Sequence, residues 1–86
     1  MDWQDEGYAE FIAYDKSIRF QEVIAELRSL KESTSARDRM RYEYQGYRVA
    51  VAYLMIEKGC SLGQILSREE SFEDILNEAC LNAGKH

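Results

Sequence analysis

The sequence lacks proline altogether, and its 86 residues include only one histidine and two cysteines. Proline interrupts helices and is common in the turns of loop-rich β domains, so its absence favours an all-α fold. The single histidine is His86, the last residue. Because histidine is the commonest metal ligand and general base in proteins, we predict neither a metal nor another cofactor.

Long hydrophobic runs are also missing. No apolar run approaches the length that spans a bilayer, and residues 1–16 are acidic where a secretory signal is basic. We therefore expect a cytoplasmic protein without membrane contact. In that compartment Cys60 and Cys80 should be reduced, small buried residues rather than a disulfide.

The composition that remains is typical of one small folded domain. Hydrophobic residues make up 45% of the chain and charged residues 31%, which is enough apolar material for a core. We divide the domain into an acidic, aromatic arm (residues 1–16), a helical hairpin (17–58) and a C-terminal helical region (59–86). A chain of this size often gains stability by binding, commonly to another copy of itself.

The arm and the first hairpin helix both carry apolar anchors. The arm is predicted to be a short helix or an extended segment, held to the domain by Trp3, Tyr8, Phe11, Ile12 and Tyr14. The helix, at about 17–33, can be capped by Asp15 or Ser17. Its apolar residues repeat with heptad spacing at Phe20, Val23, Leu27 and Leu30.

The segment 41–59 admits two interpretations. Its alternating tyrosines and the run YRVAVAY are typical of strands that turn at the Gln-Gly pair, 45–46. However, Gln-Gly is a weak turn signal, and the two strands would be unequal in length. A helix over about 36–58 accounts for the whole segment, including its Lys-Gly ending. We therefore predict the helix.

Two apolar stripes follow this predicted helix. One contains Met40, Tyr44, Tyr47, Val51 and Leu54, and the other contains Tyr42, Gly46, Val49, Tyr53 and Ile56. Stripes on roughly opposite sides predict a helix covered from both. One stripe should pack on the first hairpin helix, and the other should meet either the C-terminal helix or a partner. A mid-helix glycine costs about 1 kcal/mol, so Gly46 predicts a close approach by a backbone or a bulky aromatic, or else a mild kink.

Three arginines, Arg37, Arg39 and Arg41, crowd the start of the same helix. Cations there oppose the helix dipole, although Ser35 and Asp38 are spaced to form a capping box. Residues 35–58 carry five bases and three acids in a chain of net charge −5. We expect the arginines to meet an anion. The chain's own acidic N-terminus is preferred over a partner's carboxylates or phosphate.

The C-terminal region contains two pairs with capping-box spacing, Ser61 with Gln64 and Ser67 with Glu70. They predict a short helix and then a terminal helix ending at Gly84. The apolar face of the terminal helix is Phe72, Ile75, Leu76 and Ala79.

Two classes of chemistry receive little support. Residues 59–80 have the rhythm of a helix-turn-helix, but their only base is Arg68, and the would-be recognition helix carries Glu69, Glu70, Glu73, Asp74 and Glu78. DNA would be repelled by that face, so nucleic-acid binding is kept only as an alternative. No nucleophile elbow, phosphate loop or HExxH occurs, and we predict no enzymatic activity.

A family resemblance rests on Phe20 and Leu27, a polar turn, and then Gln45-Gly46 followed by Ala50, Val51, Leu54 and Met55. With these features residues 18–58, about half the chain, resemble small phage-encoded proteins made of two antiparallel helices, mostly of unassigned function. The order Tyr47-Arg48 departs from the basic-then-aliphatic order of those proteins. The resemblance implies a viral accessory or virion-associated protein without catalysis.

These patterns favour a small accessory, adaptor or inhibitor protein that binds another protein. Tyrosine is a frequent interface residue, and the predicted contacts are Tyr42, Gly46, Val49, Tyr53 and Ile56, with Arg37, Arg41 and Arg48 as ionic partners. Self-association is the simplest version. The alternatives are a helix-turn-helix-like regulator that binds nucleic acid and an acidic inhibitor that mimics it.

Overall fold

The computed structural model describes residues 3–13 and 19–83, and within them the fold is all-α, as predicted. These residues contain five α-helices and no strand: α1 (Trp3–Ala13), α2 (Phe20–Glu32), α3 (Ala36–Ala52), α4 (Leu62–Leu66) and α5 (Phe72–Ala83). α3 lies at the centre, where α1, α2 and α5 all pack against it. The prediction that this helix is covered from both sides is confirmed for its C-terminal half, from Gly46 onward, whereas none of the residues from Ala36 to Gln45 is buried.

The segment 41–59 is helical and does not form a hairpin of strands. α3 continues into a π turn, Tyr53–Glu57, in which the amide of Lys58 donates to the carbonyl of Tyr53 at 3.3 Å. The chain then leaves the helix at Gly59, whose φ of 67° is the left-handed conformation that glycine adopts easily. The amide of Cys60 reaches back to the carbonyl of Leu54 at 2.9 Å, which completes the ending that the Lys-Gly pair predicted.

The hairpin of α2 and α3 forms as expected, but its predicted caps differ. Ser35 occupies the N-cap position of α3 without a side-chain capping bond among the described residues. Instead, the hydroxyl of Ser33 donates to Asp38 at 2.7 Å and accepts from the amide of Ser35 at 3.2 Å. The predicted capping box of Ser35 and Asp38 is therefore wrong, because the Asp38 carboxylate accepts from the hydroxyl of Ser33 instead. The proposed caps Asp15 and Ser17 lie outside the described residues.

The arm forms a short helix, α1, rather than an extended segment. Its backbone presses on α3 at Gly7, where a β-carbon would lie 2.6 Å from the Val51 side chain and 2.8 Å from the Tyr47 carbonyl carbon. Only glycine permits this approach. Of the predicted anchors, Phe11 is buried in the core, whereas Ile12 is exposed. Tyr14 lies outside the described residues.

The C-terminal region contains the two predicted helices. The Ser61–Gln64 capping box is present in both directions, at 2.8 and 3.2 Å. The second predicted cap is wrong, because Ser67 ends α4 and Ser71 begins α5 by accepting from the amide of Asp74 at 3.2 Å. Ser71 and Asp74 have the same spacing as the predicted pair. The predicted end of α5 at Gly84 lies outside the described residues.

The core is formed mainly by the middle of α3 and the inner faces of its neighbours. Its largest fully buried side chains are Leu54, Ile65, Ile75, Val49 and Val51. Cys60 and Cys80 are free and half-buried, so the expected burial of both thiols is only partial. Within the described residues, no helix is both long and apolar enough to cross a bilayer.

Candidate functional site

Most of the predicted contact stripe is covered by α5. Val49 is buried, and Tyr42 is half-buried with its ring edge-on to Phe72. Phe72 also packs over Gly46, where a β-carbon would lie 2.6 Å from the ring. The expectation that Gly46 allows a bulky aromatic to approach is confirmed. The assignment of these residues to a partner-binding surface is corrected, because the chain's own C-terminal helix occupies the stripe.

Tyr53 is the clearest case of this correction, since its side chain is only 2% exposed. Its hydroxyl accepts a hydrogen bond from Asn82 at 2.9 Å, and Lys58 pairs with Glu78 at 3.2 Å beside it. Burial, followed by the charge of Glu78, raises the pKa of the Tyr53 phenol above its usual value. This polar cluster joins the π turn to α5 and has a structural role.

The remaining predicted contact residues separate into two groups. Ile56 is exposed in the π turn, while Arg48 is half-buried and donates to Gln45 at 3.4 Å. Arg37 and Arg41 are exposed near the start of α3. The structure therefore does not join the arginines and the stripe into the single surface that the sequence predicted.

A different surface is present at the start of α3, beside α1. An open groove of about 600 Å³ is lined by Glu10, Arg37, Met40, Arg41, Tyr44 and Gln45. Five of these residues lie at the spacing that places them on one face of α3. The sixth, Glu10, comes from α1, which runs from its contact at Gly7 toward the N-terminal half of α3. We call this surface the α1–α3 groove.

Two large apolar side chains are exposed in the α1–α3 groove. Met40 is 57% exposed and Tyr44 is 42% exposed. The ring of Tyr44 stands edge-on to that of Tyr47, at 6.4 Å between centroids. Tyr47 in turn packs edge-on against Phe72, at 4.8 Å. The exposed tyrosine thus belongs to an aromatic row that extends to Phe72, which packs against the core.

The charges of the groove are mixed. Arg37 and Arg41 lie one helical turn apart on α3, and Glu10 lies on the α1 side. Arg41 pairs with Glu26 of α2 at 3.1 Å, between exposed side chains. No ion pair joins Glu10 to either arginine within the described part of the chain. Among the described residues, the carboxylate that Arg41 meets therefore comes from α2 and not from the acidic N-terminus, of which Asp2 and Asp15 lie outside the described residues.

The groove was not predicted from the sequence, because the stripe that contains Met40 and Tyr44 was expected to be covered along its whole length. The structure instead places α1 on that stripe, at Tyr47 and Val51, and leaves the N-terminal part of the stripe exposed. One signal was available. The arginines alternate with Met40 and Tyr44, so any element that covered the apolar pair would also have to cover the cations.

The corner at residues 59–80 is not a basic surface. Its single base, Arg68, pairs with Glu70 at 2.6 Å and donates to the sulfur of Cys60 at 3.7 Å. The carboxylates of Glu73 and Asp74 are exposed at the start of α5. This charge distribution disfavours DNA at the would-be recognition helix.

A second, smaller crevice of about 180 Å³ separates α2 from α5. Its polar lining includes Arg28, Lys31, Tyr42 and Cys80. Burial raises the pKa of the Cys80 thiol, although the two cations oppose that shift. The thiol is therefore protonated near neutral pH and is a weak nucleophile. No group of three or more metal-ligating side chains occurs among the described residues.

Comparison of the chain with protein-family models, with curated proteins and with solved structures gives no match. The resemblance of residues 18–58 to phage helical-hairpin proteins therefore stays a prediction.

Proposed function

We propose that the protein is a non-enzymatic accessory protein that acts by helix-mediated protein–protein interaction, with the α1–α3 groove as its binding surface. The observation that carries the proposal is the coincidence of two exposed apolar side chains, Met40 and Tyr44, with two arginines, Arg37 and Arg41, around one open groove. An accessory role is also what the resemblance to phage proteins implies.

Each of these features is unfavourable for the isolated chain. Arg37 lies in the first turn of α3, where a cation costs about 0.3–1 kcal/mol through the helix dipole. A large apolar side chain left in water forgoes about 25 cal/mol for each Å² that burial would remove. A partner that covers the groove would relieve both costs together. No contact inside the described chain does so.

The groove also indicates which partner chemistry it binds. Arg37 has no ion-pair partner among the described residues and therefore favours a carboxylate, which arginine binds with well-defined geometry. Met40 and Tyr44 favour an apolar side chain between them, and methionine adapts its shape to such contacts. We therefore expect a protein segment in which a carboxylate lies next to an aromatic or aliphatic residue.

A random-peptide display library selected on the folded protein tests the proposal. Recovered peptides should combine a carboxylate with an apolar residue and bind Met40→Glu and Arg37→Glu at least about tenfold more weakly. The matched controls are Leu81→Glu, at a large apolar side chain that is 71% exposed and lies outside the groove, and Arg39→Glu, at an exposed arginine that does not line the groove. The proposal is lost if selected peptides bind both groove variants as tightly as the parent protein.

The alternative, a nucleic-acid-binding regulator or an acidic inhibitor of one, has a narrower basis. The exposed carboxylates of Glu73 and Asp74 fit an acidic inhibitor better than a DNA-binding helix. A shift assay with duplex DNA in low salt separates the regulator from the proposed function, because only the regulator should bind DNA. Binding that weakens steeply with salt would favour the regulator.

A further inference from the structure

We infer that the partner of the α1–α3 groove is a second copy of this chain, bound groove to groove about a twofold axis. The inference rests on the proposed function and names its partner. Its basis is that the groove carries both halves of the required chemistry. Glu10 supplies the carboxylate, Arg37 and Arg41 supply the cations, and Met40 with Tyr44 supply the apolar surface.

A twofold interface requires such a surface, because the same patch must complement itself. If residue i of one copy contacts residue j of the other, then j also contacts i. In the groove the carboxylate and Arg37 lie on different helices, α1 and α3, with apolar residues on the α3 side. Rotation by 180° therefore brings Glu10 of each copy toward Arg37 of the other, across the apolar side chains.

The overall charge supports the same surface. Two chains of net charge −5 repel each other, and the repulsion is weakest where each presents its basic segment. Residues 35–58 carry five of the eleven bases and only three of the sixteen acids. A pair formed through the start of α3 thus keeps the acidic surfaces of α5 away from the contact.

The ion pair within the chain also favours this arrangement. Arg41 is held by Glu26 at 3.1 Å, whereas Arg37 has no ion-pair partner among the described residues. Arg37 is therefore the cation available to a second copy. A patch of six lining residues is smaller than the roughly 20–30 residues per side of a standard interface, so we expect a weak dimer.

Charge reversal tests the inference in solution. Sedimentation velocity over a concentration series should show a reversible dimer for the parent chain. The variants Glu10→Arg and Arg37→Glu should each raise the dissociation constant by about tenfold or more, because symmetry applies every change twice. Arg39→Glu makes the same charge change outside the groove and should leave the dimer intact. Far-UV circular dichroism confirms that each variant is folded.

The decisive step is to mix the two variants. In a Glu10→Arg copy the groove is entirely basic, and in an Arg37→Glu copy its α1 side and position 37 are acidic. A mixed pair then restores two attractive contacts, so heterodimer should form from two monomeric variants. A loss of folding cannot produce this rescue.

The outcomes separate the two proposals. A parent chain that stays monomeric at millimolar concentration, or variants that fail to rescue each other, would overturn the inference. If selected peptides still bind the groove in that case, the proposed function stands and the partner is another protein. If peptide selection also avoids the groove, both proposals fail.

Discussion

The two halves of α3 differ in burial although both are rich in tyrosine. From Gly46 to Tyr53 six of the eight residues are fully buried, whereas none of the described residues from Ala36 to Gln45 is. The C-terminal half is enclosed by α1 and α5, which use Gly7 and Phe72 to approach it closely. The N-terminal half exposes aromatic and basic side chains together. The same residue types thus build the core in one half and a candidate binding surface in the other.

The largest expected effect comes from placing the same new charge in each half. Tyr53→Asp buries a carboxylate near Glu78 and removes the hydrogen bond from Asn82, so it should cost about 4 kcal/mol or more and unfold the domain. Tyr44→Asp, on the exposed half, should change stability by less than about 1 kcal/mol. Urea denaturation of the two variants measures the difference.

If Tyr53→Asp and Tyr44→Asp lose equal free energy of unfolding, the two halves of α3 do not differ in burial as the structure shows. This prediction also replaces the expectation from sequence that Tyr53 acts at a partner surface. Such a role requires a folded monomer that has lost its partner, whereas the structure predicts that the monomer itself is lost.

A smaller effect is expected where α1 crosses the enclosed half. Gly7→Ala adds a β-carbon against the backbone of Tyr47, and backbone cannot rotate away as a side chain can. Separating the helices should cost about 2–3 kcal/mol, more than alanine gains in helix propensity. Gly63→Ala in α4, where the nearest neighbour lies at 4.0 Å, is the matched control. Thermal melts of both variants measure the effect, and Gly63→Ala should leave the melting temperature unchanged or raise it slightly. If Gly7→Ala has the same melting temperature as Gly63→Ala, α1 does not approach α3 as closely as the structure shows.

Stability at alkaline pH gives a third, still smaller difference. The pKa of Tyr53 is raised in the folded state, so above about pH 10 the unfolded chain releases its phenolic proton while the folded chain retains it. The unfolded state then binds fewer protons, and stability falls as pH rises. Burial raises the pKa values of Tyr42 and Tyr47 as well, so they add to the same decline.

Tyr53→Phe isolates the contribution of one phenol. At neutral pH it should cost about 1 kcal/mol, because the amide of Asn82 loses its acceptor. Between pH 9 and about 11 its stability should then fall less steeply than that of the parent chain. Tyr44→Phe, at an exposed tyrosine, is the control and should retain the parent slope. A Tyr53→Phe variant with an unchanged slope would contradict the assignment.

The sequence predicted where the helices lie along the chain better than it predicted which helices pack against each other. The 3.6-residue repeats of the apolar residues, the Lys-Gly ending and the Ser61–Gln64 pair were sufficient for α2, α3 and α4, because each depends on contacts within a few residues. Which helix covers which stripe depends on contacts between distant residues. Gly7 was not recognised as a crossing point, since a glycine near a chain end carries no local signal of the helix it will meet.

The candidate site was harder to predict for the same reason. Arg37 and Arg41 were identified from their cost to the helix dipole, which is local. Their grouping with Val49 and Tyr53 failed, because a hydrophobic pattern does not distinguish an apolar face that is covered from one that is exposed. Ser67 and Ser71 each lie three residues before an acidic residue, so this spacing did not distinguish which serine begins α5.

The smallest expected effect is a gain in stability, whereas the substitutions above lower it. Arg37→Glu replaces a cation in the first turn of α3 with a carboxylate, which the helix dipole favours by about 0.3–1 kcal/mol on an exposed surface. The melting temperature of the dilute monomer should therefore rise, although the same variant weakens groove binding. Arg48→Glu, deeper in the helix and half-buried, should instead lower it. If Arg37→Glu lowers the melting temperature in dilute solution, Arg37 stabilises the folded monomer. In that case the exposed half of α3 does not carry this cation for binding a partner.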